Sequence, residues 1–170
     1  MADRTLDLVA ASRVARRVNL TDVYVVEATA KRHRSHSDSA LKPDLDDSYT
    51  CTRRTDNKLE ILCRHHLKAA SGADPIAEIQ IDLNLIYDIV AGTESIDETD
   101  LSAFADANGA YNSWPFIREI LHSMTLRLGL PAFVLPTLRM ANTPKIQAQT
   151  PSVQSPPAKS EIAKDEEPKG

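Results

Sequence analysis

From residue 76 to residue 90 the chain alternates almost without error. Ile79, Ile81, Leu83, Leu85, Tyr87 and Ile89 stand against Glu78, Gln80, Asp82, Asn84 and Asp88. A period of two held this long predicts a strand with one dry face and one wet or partner-contacting face. Residues 59–68 repeat the pattern, with Leu59, Ile61, Cys63, His65 and Leu67 opposite Glu60, Arg64, His66 and Lys68. A Ser-Gly-Ala-Asp-Pro turn at 71–75 joins the two. Residues 20–29 are rich in β-branched side chains and predict an earlier strand; residues 48–54 predict a weaker one, ended by Asp56-Asn57. The polar segment 35–47, with Pro43 and many Asp and Ser, reads as a long loop.

Helical spacing marks the two ends of this strand-rich region. Residues 5–18 carry Leu6, Val9, Ala10, Val14 and Val18 on one side, with Thr5 as a possible cap and Asn19 as the stop. Asp97 opens a short helix through Leu101, Phe104 and Ala105, with Gly109 as its expected end. The strongest signal is 113–131. Ser113 can cap the helix, and Pro115 fits the first turn. Phe116, Ile117, Ile120, Leu121, Met124 and Leu128 form one stripe, and Gly129 and Pro131 end it. Residues 132–138 read as extended. Beyond Arg139 there is no aromatic residue and proline recurs five times, a composition expected to stay disordered. The pattern predicts an α+β chain: an N-terminal helix (1–18), a domain (19–139) and a Pro-rich tail (140–170). The domain is a four-stranded antiparallel sheet with its long C-terminal helix packed on one face.

Composition narrows the function. Of 170 residues 42% are apolar but only 5% aromatic, so the core must be mainly aliphatic. A net charge of −4 and a pI near 5.7 argue against a nucleic-acid surface. The short basic run Lys31-Arg32-His33-Arg34 reads as a solvated strand end. No stretch approaches the ~18 apolar residues of a membrane helix, and the first residues lack a signal-type apolar core, so a cytoplasmic protein is expected. Cys51 and Cys63 have no C-x-x-C spacing and read as free thiols on strands. There is no G-x-G-x-x-G, Walker loop, H-E-x-x-H or G-x-S-x-G. His33 and His36 lack a third ligand nearby, and Asp44, Asp46 and Asp47 lack the rest of a calcium loop. Neither enzyme chemistry nor a cofactor or metal is expected.

Trp114-Pro115-Phe116-Ile117-Arg118-Glu119, followed by Ser123-Met124, resembles the aromatic-Pro-aromatic-x-Arg-Glu…Ser-Met opening of the long helix in the SecB family of bacterial export chaperones. Ile86-Tyr87-Asp88-Ile89 with Ala91-Gly92 is similar to the end of that family's fourth strand. Asn108-Gly109-Ala110-Tyr111 is similar to its Leu-Gly-Ala-Tyr, Asp22-Val23 to an Asp-Ile early in the first strand, and Pro131, Leu135 and Pro136 to its post-helix segment. The likeness spans about residues 19 to 138. It implies a SecB-like sheet-and-helix fold assembled as a homotetramer, a dimer of dimers. It also implies an ATP-independent holdase that keeps unfolded clients soluble in apolar grooves and passes them to the SecA translocase ATPase.

The departures are an N-terminal helix, the 35–47 loop, and a tail without a SecA-binding end. Of the first-strand acids that dock SecA in the family, Asp22 matches, whereas Glu27 is one position out of register. A variant class of SecB-like chaperones holds antitoxins of toxin–antitoxin pairs and shares the N-terminal helix; the chain resembles it about as well. A non-chaperone α+β binding or scaffold module is the remaining reading. For a holdase, adaptable apolar walls and a charged rim are required. Trp114, Phe116, Met124, Val23 and Val25 are the expected walls, and Asp22, Glu27 and Arg118 the expected rim or translocase contact. On that reading Trp114→Ala weakens client binding but leaves the fold intact.

Overall fold

The computed structural model describes residues 6–33, 42–55, 57–90 and 96–138. The expected tail beyond 139 lies outside them. Helix α1 (Leu8–Ala15) is followed by strands β1 (Val18–Arg32), β2 (Lys42–Arg54), β3 (Lys58–Ser71) and β4 (Asp74–Ile89), then by helix α2 (Glu98–Arg127). The strands form one antiparallel sheet in the order β1-β4-β3-β2. The two strands with the cleanest alternation, β3 and β4, are the central pair. Their apolar side faces α2, and Ile61, Cys63, Ile81, Leu83 and Leu85 lose all contact with solvent there.

Both outer strands are longer than expected. β2 begins at Lys42, so Pro43, Asp44, Asp46 and Asp47 belong to a strand and not to a loop. The pairing explains this: β3 offers a ladder as far as Lys42↔Ala70, and an edge strand tolerates a proline. Asp7, not Thr5, caps α1, accepting from Ala10 N at 3.0 Å. Asn19 does not stop that helix but lies inside β1, because the β-branched run pairs with β4 from Val18 onward.

The largest difference concerns the helices before and after Gly109. They are one helix of 30 residues, about 45 Å long. Asp97 caps its start, as expected. Gly109 does not end it, since its φ is not positive; it lies against the ring of Tyr49, where a Cβ would come within 2.8 Å of Tyr49 Cδ1. Ser113 is no cap either: it is buried in mid-helix, with its Oγ donating to Ala110 O. Pro115 sits in the helix interior with its ring exposed; the bond its missing N–H forfeits is outweighed by packing on both sides. The C-terminal end is as the sequence predicts. Gly129 takes φ +66°, Leu130 N returns to Thr125 O, and Arg32 from β1 donates to Leu128 O at 2.6 Å.

Helix α1 packs on α2, burying Ala10, Ala11 and Val14, and Arg13 bridges to the nearly buried Asp100 at 2.8 Å. Helix α2 in turn lies against β2, β3 and β4, whereas β1 is exposed from Asn19 onward except at half-buried Val23.

Candidate functional site

A seam of polar side chains lies under α2. Tyr49 Oη donates to Asp47 Oδ2 at 2.6 Å, and its ring meets His65 edge-on with centroids 5.6 Å apart. His65 Nε2 is 3.3 Å from Ser113 Oγ, and Cys63 Sγ lies 3.8 Å from Gly109 O. Asn112 Nδ2 donates to Tyr87 Oη at 2.8 Å. His65 is a buried core histidine, held at Nε2 by Ser113, and Cys51 and Cys63 are free thiols. Ser113 and His65 are both enclosed, so their contact serves to seat the helix.

Burial drives three acidic groups upward, the Cys51 thiol, the Cys63 thiol and the Tyr87 phenol. The Cys63 thiol is pushed to about 12, and the Tyr87 phenol to about 12 despite its hydrogen bond with Asn112. Both must stay neutral in the folded chain, whereas the unfolded thiol ionises near 9 and the phenol near 10. Stability is therefore fully present below pH 9 and declines as pH rises toward 12, by up to about 1.4 kcal/mol per pH unit per group. Urea unfolding in steps from about pH 8 to about pH 11 should show this decline. Cys63→Ala should make the decline shallower, with the onset still near pH 9 because burial raises the Cys51 thiol too; an unchanged profile in that variant would contradict the assignment.

The sequence-predicted site residues fall into three places. Val23 and Val25 pair with Leu85 and Leu83, so they project to the helix side of β1, where α2 does not reach. Val25 is 47% exposed there, and Leu20, further back on the same side of the strand, 40%. Asp22 and Glu27 pair with Ile86 and Asp82 and so share the opposite face with Tyr24, whose Oη accepts from Asn84 Nδ2 at 2.9 Å. A register shift between Val25 and Glu27 makes this possible. The bulge turns an odd spacing into an even one, which brings Glu27 into register with Asp22. On α2, Phe116 is 43% exposed, Met124 is half-buried, and Arg118 lines a shallow cavity with His122 and Val134.

Trp114 is elsewhere. It is 5% exposed, and its indole N–H donates to Pro136 O at 2.9 Å. It is no open wall in this chain but a clamp on the segment after the helix. Thr125 is a second clamp, its Oγ1 accepting from Phe133 N at 3.1 Å. The eight candidates therefore do not form one groove within a single chain. The sequence reading missed exposed Val26 and Tyr24; the doublet Val25-Val26, which breaks the alternation, was the available signal for the bulge.

An antiparallel sheet in the order β1-β4-β3-β2, covered on one face by a single long helix, defines an α+β chain of SecB-like fold. The SecB-like chaperone Rv1957 of Mycobacterium tuberculosis, solved in complex with a ChAD peptide from the antitoxin HigA1 (Rv1956), superposes with a TM-score of 0.70. The two are 23% identical over 76% of this chain and 96% of that one. A Streptococcus agalactiae protein of unknown function is more remote, with a TM-score of 0.44 at 9% identity over 71% and 97% of the two chains. No protein-family model and no curated protein matches the sequence.

Proposed function

We propose that this protein is an ATP-independent holdase that binds unfolded polypeptide segments on apolar surfaces and keeps them soluble. The observation that carries the reading is β1, an edge strand with Leu20, Tyr24, Val25 and Val26 all 40% exposed or more. An uncovered apolar edge of that kind is an aggregation hazard unless it is used for assembly or for partners. The SecB-like fold supports the same reading, as does the motif from Trp114 to Glu119. Phe116 and Leu126 add exposed apolar surface on α2.

Two finer readings separate by client. Export holdases hand clients to SecA; Asp22 matches one of the acids such a contact uses in the family, and Glu27 shares its face of β1. A chaperone dedicated to an antitoxin is favoured by a different observation, that the neighbour at TM-score 0.70 was solved with an antitoxin peptide. Assembly as a homotetramer, a dimer of dimers, in the cytoplasm completes the proposal, since it gives part of the exposed β1 surface a partner.

Dilution of a chemically denatured, unrelated protein into buffer tests the holdase reading. A stoichiometric amount of this chain should suppress the rise in light scattering without ATP. Equal scattering with and without it would return the chain to the binding or scaffold reading. Static scattering of the same sample gives its mass, and a monodisperse monomer at micromolar concentration would sink the tetramer.

A further inference from the structure

Residues 131–138 follow α2 as an extended segment without helix or strand structure. From Phe133 to Pro136 its side chains alternate. Leu135 is 2% exposed and Phe133 half-buried, whereas Val134, Pro136 and Thr137 face outward. Among the described residues it makes no backbone–backbone hydrogen bond. Two side chains of α2 hold its main chain instead: Thr125 Oγ1 accepts from Phe133 N, and Trp114 Nε1 donates to Pro136 O. Every second apolar side chain pointing inward, with the main chain held by side-chain donors and acceptors, is how a protein grips an extended peptide. Beside Val134 the surface stays open in a shallow cavity bordered by Pro115, Arg118 and His122.

We infer that residues 131–138 occupy in cis a seat for an extended apolar peptide on the Trp114–Thr125 flank of α2. A client segment with the same alternate apolar spacing takes that seat by displacing them. The inference rests on the holdase reading and names where one client segment lies. A segment with few backbone bonds opens more readily than the helix or ladder beside it. Apparent client affinity is then the intrinsic affinity reduced by the fraction of chains whose seat is open. Loosening the strap should therefore tighten client binding, the opposite of what removal of a client contact does.

Trp114 is the only tryptophan and reports directly on the strap. The full chain is titrated with reduced, carboxymethylated ribonuclease A, an unfolded client without tryptophan. Binding should change the Trp114 emission and its quenching by acrylamide, because the Pro136 carbonyl leaves the indole and a client segment replaces it. Thr125→Val removes the acceptor for Phe133 N, and Phe133→Ala, at a half-buried site the fold tolerates, lightens the strap's inward side. Each should bind the client about fivefold more tightly, the equivalent of one lost hydrogen bond or small apolar contact. If the wild-type chain binds but its emission and quenching do not change, and both variants bind equally or more weakly, the seat is not used and the holdase reading survives alone. If neither the wild-type chain nor the variants bind, both fall.

Discussion

Gly109→Ala should destabilise the chain by about 1–3 kcal/mol, although it replaces a glycine in mid-helix. On helix propensity alone the change would stabilise by about 1 kcal/mol. The close approach of Tyr49 reverses the sign. An added Cβ would stand 2.8 Å from Tyr49 Cδ1 and 3.1 Å from its Cβ and Cγ. The ring cannot swing aside easily, because its hydroxyl is bonded to Asp47 and it stands T-shaped against the His65 ring. Either α2 lifts from β2 or the strand moves. In a Tyr49→Gly background, which removes the Cβ as well as the ring, the clash is gone, and the same Gly109→Ala change should become stabilising. Urea unfolding of the four variants measures the sign inversion; the same sign in both backgrounds would show that packing at this crossing does not constrain the helix.

Trp114→Ala should cost on the order of 3–5 kcal/mol, a large part of a typical domain's stability. The side chain is nearly enclosed, and its loss leaves both a void and Pro136 O without its donor. Trp114→Phe keeps much of the apolar volume and loses the N–H, so about 1 kcal/mol is expected there. Because the variants lack the tryptophan, unfolding is followed by circular dichroism. Near-native stability of Trp114→Ala would restore the sequence-based view of this residue as a client-facing wall.

That contrast marks where the sequence was legible. Alternation along β3 and β4 gave both strands and their buried faces, because a period of two is a local property that central position reinforces. The terminal signals Asp97, Gly129 and Pro131 were equally local, and they ended α2 where expected. Gly109, Ser113 and Pro115 were misread for a shared reason. Each has a strong local meaning as a breaker or cap, and each is overridden by a contact with a distant residue or by the packing of the helix as a whole. Gly109 answers to Tyr49, Ser113 to His65. The polar start of β2 was hidden in the same way, since only the ladder with β3 makes it a strand.

The candidate site was less legible than the fold. Exposure of β1 depends on which strands the helix covers, and no spacing within residues 18–32 encodes that. The bulge that brings Glu27 into line with Asp22 shows only as a doublet of valines. Trp114 looked like a binding residue because it is rare and sits beside Pro115; its indole is committed to a carbonyl 22 positions further on.

The strand order has a consequence for the chain during its own synthesis. β1 is made first, yet its neighbour is β4, and Thr21 Oγ1 meets its acceptor on Ile86 across 65 positions. Until that distant strand has left the ribosome, β1 is an extended apolar ribbon with nothing to pair with, while β2, β3 and β4 can close as successive hairpins. The growing polypeptide therefore passes through a stage in which it carries the kind of segment that, on the reading proposed here, the finished protein exists to shelter.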